Sequence, residues 1–292
     1  MRTFLNKALL VLIAAPLALG ACSANRAPVP VLTTVYPAQF VAERLTGTAV
    51  ANLTPAGAEP HDLELSPRQV EQVLDADLVL AWSTGFQPAV DDALRRRTGP
   101  SNTLVDALNP ADRARATRDP HVWLDPVSMR TIARAAADAI SSERAESRTA
   151  TAERQAQLDA ELVALDAEFR NGLAQCARRT IVTAHEAFGW LAERYNFTQE
   201  GIAGIDPEQE PDAKRVAEIA ALVRRESITT IFTEEAVSPR IAETLAREAS
   251  GVQIVPLSTL EVLSAEERQA GDDYFSLMRA NLAKLRTALG CS

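Results

Sequence analysis

The spacing of apolar positions divides the chain into two stretches built on one rule. In the first, short runs of strand-forming residues at 31–35, 49–53, 78–82 and 103–105 alternate with amphipathic segments at 38–45, 66–74 and 88–94. The runs predict strands, and the 3.6-residue periodicity between them predicts helices. The pattern restarts at Thr180, with strands expected at 180–183, 229–232 and 252–255 and helices at 188–195, 212–225 and 239–249. Such alternation favours a mainly parallel sheet flanked by helices, so the expected class is α/β with two lobes.

Between the two stretches the texture changes. Residues 127–171 contain neither glycine nor proline, and Leu158, Leu162, Leu165, Phe169 and Leu173 recur at spacings of four, three, four and four. That is one apolar stripe along a helix. A helix of about thirty residues is on the order of 45 Å long, enough to run the length of both lobes. Polar and small residues cluster at 141–151, where a break is expected, with a shorter helix before the long one. The resulting division is an N-terminal lobe at 31–143, a rigid linking helix at 144–176 and a C-terminal lobe at 177–292.

Residues 1–21 carry the charge order of a secretory signal: Arg2 and Lys7, then an apolar stretch broken by Pro16, then small residues. The stretch is too short to span a bilayer permanently. Leu19-Gly20-Ala21-Cys22 resembles the bacterial lipobox, in which the peptide is cut before a cysteine whose thiol is lipidated. An ordinary signal peptide beside an incidental cysteine is the alternative. Either way the mature chain is expected outside the cytoplasm, and with Cys22 lipidated, residues 22–30 form a tether to the membrane.

Export changes the reading of the remaining thiols. In an oxidising compartment Cys176 and Cys291 are expected to pair, the alternative being two buried free thiols. They are too far apart, and lack the CxxC spacing, for a Cys-based zinc site. The formal net charge is −9, and loss of the signal removes two further positive charges. No basic stripe remains to displace counterions, which excludes nucleic acid as a partner.

The chain has three histidines, and each falls at a strand exit or in a stiffened loop. His61 follows the second expected strand after the turn at 54–60, His185 comes directly after the strand at 180–183, and His121 lies in Asp119-Pro120-His121-Val122-Trp123-Leu124-Asp125-Pro126. Ligands in open α/β sheets bind beyond the carboxyl ends of strands, so three imidazoles placed there suggest a shared metal ion. Three nitrogens and one oxygen suit Zn²⁺ in a near-tetrahedral shell, whereas Mn²⁺ prefers more oxygen. The fourth donor is open between Asp272, Asp273, Glu59 and water, with Asp272 taken forward. Asp62, Asp125 and Glu186 are near enough in sequence to orient the imidazoles from behind.

These phrases, in order and spacing, resemble the zinc/manganese solute-binding lipoproteins of bacterial ABC importers (cluster A-I). They are Pro60-His61-Asp62-Leu63-Glu64-Leu65-Ser66-Pro67, the loop at 119–126, and His185-Glu186-Ala187-Phe188-Gly189-Trp190-Leu191-Ala192-Glu193-Arg194-Tyr195. Pro207-Glu208-Gln209-Glu210-Pro211 and the segment at 272–282 belong to the same resemblance, which covers residues 31–289. It implies two α/β lobes joined by a long helix, with His61, His121, His185 and an acidic position near Asp272 around metal in the cleft. Members that favour manganese commonly have glutamate where His185 stands, so the chain sides with the zinc group. The His-rich loop of many zinc members is missing, since residues 107–119 contain no histidine.

The resemblance implies a non-enzymatic monomer that hands its ion to a membrane permease driven by a cytoplasmic ATPase, with a place upstream for a zinc-donating metallochaperone. A linking helix that resists bending would limit the difference between empty and loaded forms to loop ordering and a small tilt. Two other classes share the fold's possibilities. One is a metal-binding surface adhesin. The other is a secreted zinc hydrolase, which His185-Glu186-Ala187-Phe188-Gly189 speaks against because the second histidine of HExxH is absent.

Overall fold

A computed structural model of the chain describes residues 30–82, 85–234, 240–248 and 251–292. The signal segment, Cys22 and the tether up to residue 29 lie outside the described residues.

The first lobe consists of β1 (Val31–Thr33), α1 (Tyr36–Thr46), β2 (Ala51–Asn52), α2 (Pro67–Asp75), β3 (Leu78–Ala81), α3 (Pro88–Arg96) and β4 (Ser101–Thr103). Helices α4 (Pro110–Ala116) and α5 (Pro126–Glu143) lead to the long α6 (Arg148–Gly172). The second lobe follows as β5 (Thr180–Thr183), α7 (Gly189–Arg194), β6 (Thr198–Gly201), α8 (Ala213–Arg225), β7 (Thr230–Thr233), α9 (Arg240–Glu248) and β8 (Gln253–Pro256). It closes with α10 (Ala265–Ala270) and α11 (Tyr274–Leu289). Each lobe holds a four-stranded parallel sheet, ordered β2-β1-β3-β4 and β6-β5-β7-β8, so one topology is used twice.

Side chains alternate across each strand, and the two faces of each sheet meet different partners. Leu32 and Val79 turn outward to pack with Val73, Val90 and Ala93 beneath α2 and α3. Val182 and Ile231 do the same against Ile219, Val223 and Leu245 of α8 and α9. The opposite faces, carrying Val31, Leu78 and Leu80 in one sheet and Ile181 and Phe232 in the other, belong to a single apolar cluster that includes α1, α5, α6, α7 and α11. The lobes therefore have private outer layers and a shared inner core.

Helix α6 is the spine of that core. Leu158, Leu162, Leu165 and Phe169 are fully buried, and the helix packs on α1, α5 and α11. Its 25 residues span about 37 Å. The break ahead of it falls between Glu143 and Arg148, inside the expected 141–151 stretch, where a 3₁₀ turn at Ala145–Ser147 intervenes. On the outer side Asp159 takes a bidentate pair from Arg130 of α5 at 2.8 and 2.9 Å.

Several elements differ from the sequence expectation, each for a local reason. The strand expected at 103–105 sits two residues earlier, because Leu104 and Val105 are buried as anchors of a 3₁₀ turn at Leu104–Ala107. Strand β6, Thr198-Gln199-Glu200-Gly201, has no apolar alternation, since as an edge strand it needs a neighbour on one side only. Helices α4 and α10 are short and are declared by their caps rather than by periodicity: Asn109 accepts from Ala111 N and Asp112 N, and Ser264 from Glu267 N.

At the end of the chain Gly290, with φ +65°, turns the backbone out of α11 through a left-handed conformation that glycine adopts freely. Cys291 then meets Cys176, and the two form a disulfide across 115 residues. Closing a loop of that length restricts the unfolded chain, so the paired substitution Cys176→Ser/Cys291→Ser is expected to lower unfolding free energy by about 4 kcal/mol in a denaturant titration. Unchanged stability would show that the bridge constrains nothing.

Candidate metal centre

His61, His121 and His185 meet, and the carboxylate that joins them is Glu261; one ligand atom from each lies within 4.8 Å of the other three. Each arrives from the region beyond a strand's carboxyl end. His61 follows β2, His121 lies beyond β4, His185 stands two residues past β5 and Glu261 five residues past β8.

The loops that carry them are fixed by backbone acceptors. At the exit of β1, Thr34 O accepts from Thr54 Oγ1 at 2.6 Å and from Gln87 Nε2 at 3.0 Å, which ties the start of the His61 turn to the sheet. The His61 ring stands edge-on to Phe86, with centroids 4.8 Å apart. His121 opens a 3₁₀ turn, His121–Leu124, whose other residues are fully buried, and Trp82 Nε1 donates to Pro120 O at 2.8 Å just ahead of it. The carbonyl of His185 accepts from Thr183 Oγ1 at 2.6 Å and from Gln199 Nε2 at 2.8 Å. The Glu261 loop is gripped by Asn281 of α11, which donates to Ser258 O at 2.7 Å and accepts from Ser258 N at 3.0 Å. Leu260, buried beside Glu261, has φ +55°, a left-handed conformation that is costly for a branched side chain.

Four of the distances within the group lie close to the edges of a shell around one small tetrahedral ion. Glu261 Oε1 lies 2.8 Å from His121 Nε2, 3.3 Å from His61 Nε2 and 3.6 Å from His185 Nε2, and the Nε2 atoms of His121 and His185 are 3.3 Å apart. Donors about 2.0 to 2.1 Å from Zn²⁺ define a tetrahedron with edges of about 3.3 Å. Glu261 presents one oxygen, since Oε2 accepts from Thr259 Oγ1 at 3.1 Å. The second ring nitrogens are held as well: His121 Nδ1 bonds Asp119 Oδ1 at 2.9 Å, and His185 Nδ1 bonds Glu234 Oε2. These bonds leave Nε2 of both rings free to face the ion.

The electrostatics follow from burial against pairing. Burial raises the Glu261 carboxyl, but hydrogen bonds from His121, His185 and His61 outweigh it and hold it well below the usual range. Burial lowers the His185 imidazole, yet Glu234 and Glu261 together lift it to about 10. His121 is likewise depressed by burial and raised in balance by Asp119 and Glu261. Glu59 is pushed up to about 6, chiefly by burial and then by the Glu261 charge, while its carboxylate accepts from His61 N at 2.9 Å. Both His121 and His185 are thus shifted toward the protonated form, which competes with a metal ion for the same rings.

Asp272 and Asp273 are elsewhere, and the expectation for Asp272 is corrected accordingly. They form the start of α11: Asp273 caps the helix through Ser276 N at 2.9 Å, and Asp272 Oδ1 accepts from Ser276 Oγ at 2.9 Å. The carboxylates behind the imidazoles also differ from those expected. Asp62 is exposed, Asp125 pairs with Arg194, and Glu186 turns toward Arg215 at 4.0 Å. Glu234 takes the position behind His185 because β7 lies beside β5 in the sheet, a neighbour in space and not in sequence. The rule applied to the histidines would have found Glu261, which follows the strand expected at 252–255.

A two-lobed α/β protein with a buried His₃Glu centre between its sheets is the class that fold and site define. The chain belongs to the family described as "ZnuA: Zinc-uptake complex component A periplasmic", whose profile matches residues 31–288. It is 33% identical to "Zinc-binding protein AdcA" of Streptococcus pyogenes serotype M6 across 88% of this chain and 55% of that protein, so it spans about half the length of such curated relatives. "High-affinity zinc uptake system protein ZnuA" of Bacillus subtilis is 29% identical across 89% of this chain and 87% of that one. Among solved structures, the Zn(II)-bound ZnuA-like domain of Streptococcus pneumoniae AdcA superposes with a TM-score of 0.77 at 31% identity, covering 90% of this chain and 99% of that one. The laminin-binding protein Lmb of Streptococcus agalactiae, described as a bifunctional protein with adhesin and metal transporting activity, gives 0.80 at 28%, covering 89% and 99%.

Removing one donor tests the assignment of the carboxylate. Glu261→Gln is expected to weaken Zn²⁺ binding by at least about tenfold in competition with a chelator, and Asp272→Asn to leave it unchanged. The reverse pattern would return the ligand role to Asp272.

Proposed function

We propose that the chain captures Zn²⁺ between its lobes outside the cytoplasm and delivers it to a membrane permease powered by a cytoplasmic ATPase. The observation that carries this reading is the convergence of three imidazoles and one carboxylate within 4.8 Å of one another. All four positions are occupied by protein side chains, which suits reversible capture. A hydrolase needs one open position for water. The three-nitrogen, one-oxygen donor set favours Zn²⁺ over Mn²⁺. Membership of a zinc-uptake family and likeness to the Zn(II)-bound AdcA domain support the same cargo.

Anchoring by a lipid on Cys22 fits the lipobox-like segment and the similarity to the "Zinc-binding lipoprotein AdcA" of Streptococcus pneumoniae. Among the described residues no helix is long and apolar enough to cross a membrane. Action as a monomer fits a described surface whose large exposed hydrophobics, Val163 and Ile254, are isolated. A second role in adhesion to laminin is favoured by the likeness to Lmb and to the laminin-binding protein Lbp of Streptococcus pyogenes.

Zinc must displace protons at the Nε2 atoms of His121 and His185, which face Glu261, while the Nδ1 bonds to Asp119 and Glu234 stay in place. Both histidine shifts are upward, so the protonated empty form persists to higher pH and affinity rises with pH. Acidification from about pH 7.5 to about pH 5 is expected to weaken binding by more than tenfold, with proton release visible by calorimetry in buffers of different ionisation enthalpy. Equal affinity at the two pH values would contradict the ligand set. In cells, deletion is expected to impair growth under zinc limitation, with rescue by excess zinc or the intact gene but not by the His185→Ala form. Loss of laminin adhesion with normal zinc-limited growth would favour the second role instead.

A further inference from the structure

The motifs that carry His121 and His185 contain residues that touch no ligand atom. Asp125 is 1% exposed and takes a bidentate pair from Arg194, Nε to Oδ1 at 2.9 Å and Nη2 to Oδ2 at 2.6 Å. It also caps α5 through Val127 N at 3.0 Å and accepts from Ser128 Oγ at 2.7 Å. One turn earlier on α7, Trp190 Nε1 donates to Asp119 O at 3.0 Å. Residues four apart lie on one face of a helix, so α7 grips both ends of the 119–125 segment. His121 lies inside that segment, and His185 stands just ahead of α7.

Resting on the metal-binding reading above, we propose that Asp125 and Arg194 form an interlobe clamp that presets the spacing of His121 and His185 and thereby sets how long bound zinc stays. Asp125 and Arg194 are positioning residues. A planar guanidinium fork on a carboxylate fixes distance and angle together, which a single point charge does not. With the clamp closed, the Nε2 atoms of the two histidines are 3.3 Å apart, so the ion meets donors already in place. Without it, α7 can shift against the 119–125 segment, and each excursion lengthens one metal bond.

The test uses the full chain and Arg194→Met, which keeps the apolar stem and leaves Asp125 to cap α5. Zinc dissociation is followed after addition of a strong chelator, coordination by the visible absorption of the Co²⁺ form, and stability by Tm. Dissociation about tenfold faster than in the unsubstituted chain, with an unchanged cobalt spectrum, is the expected result. Asp159→Asn, which breaks an equally bidentate pair between α5 and α6 that spans no ligand pair, is expected to lower Tm and leave the rate alone. The double variant Asp125→Asn/Arg194→Met keeps a capping side chain and removes the stranded carboxylate. It is expected to recover Tm relative to Arg194→Met while dissociation stays fast. If Arg194→Met does not fold, Arg194→Lys, which keeps the charge but loses the fork, takes its place with the same readouts. A rate equal to that of the unsubstituted chain in the Arg194 variant, or a rate that recovers together with Tm in the double variant, overturns the clamp. Failure of the unsubstituted chain to bind zinc overturns the site itself, so the two failures are distinct.

Discussion

Three imidazoles and a carboxylate kept almost out of contact with water must each be paired before any ion arrives, and that requirement organises both lobes. Burying an unpaired polar group costs energy that a marginally stable fold cannot absorb four times over. The chain meets it by packing the donors against one another. Glu261 Oε1 lies within 3.6 Å of all three Nε2 atoms, so the carboxylate and the imidazoles are polar partners for one another. The same geometry that satisfies the donors sets the tetrahedral edges.

Precision at that scale cannot come from loops alone, and here it comes from side chains that hold loop carbonyls. The chain has three tryptophans, and each indole donates to the backbone of a ligand-bearing segment: Trp82 to Pro120 O, Trp190 to Asp119 O and Trp123 to Thr259 O. Trp123 belongs to the first lobe and Thr259 to the second, while Trp190 makes the converse contact. Tyr274 OH adds a further bond across the same boundary, donating to Trp123 O at 2.7 Å. Together with the core shared along α6, these bonds make the relative position of the lobes a property of packing, with the ion completing it.

How far this was legible in the sequence depended on whether the signal was local. The Leu158-to-Leu173 stripe specified α6 because one helical face faces one core, and the three histidines stood out because each follows a strand or sits between prolines. Polar β6 and the cap-defined α4 and α10 gave no periodic signal. Asp272 and Asp273 were conspicuous for a different reason, since adjacent acids before an apolar helix satisfy its first N–H groups, as Asp273 does for Ser276 N. Glu261 also lies past a strand, but one acid among the chain's 39 Asp and Glu residues carries far less signal than one of three histidines. Glu234 lies 49 residues from the ring it holds, so only the pairing of β5 with β7 brings it into view.

The four donors are not equally enclosed. His121 and His185 have no exposed side-chain surface and Glu261 has 4%, whereas His61 retains 11% and borders a small opening lined by Gly85, Phe86, Arg118 and Ile205. An ion in such a shell has one face that an incoming nucleophile can reach. Exchange would then begin at that face, where His61 is the donor with the most solvent contact. Three donors thus supply enclosure and the fourth supplies access, a division of labour set by burial alone.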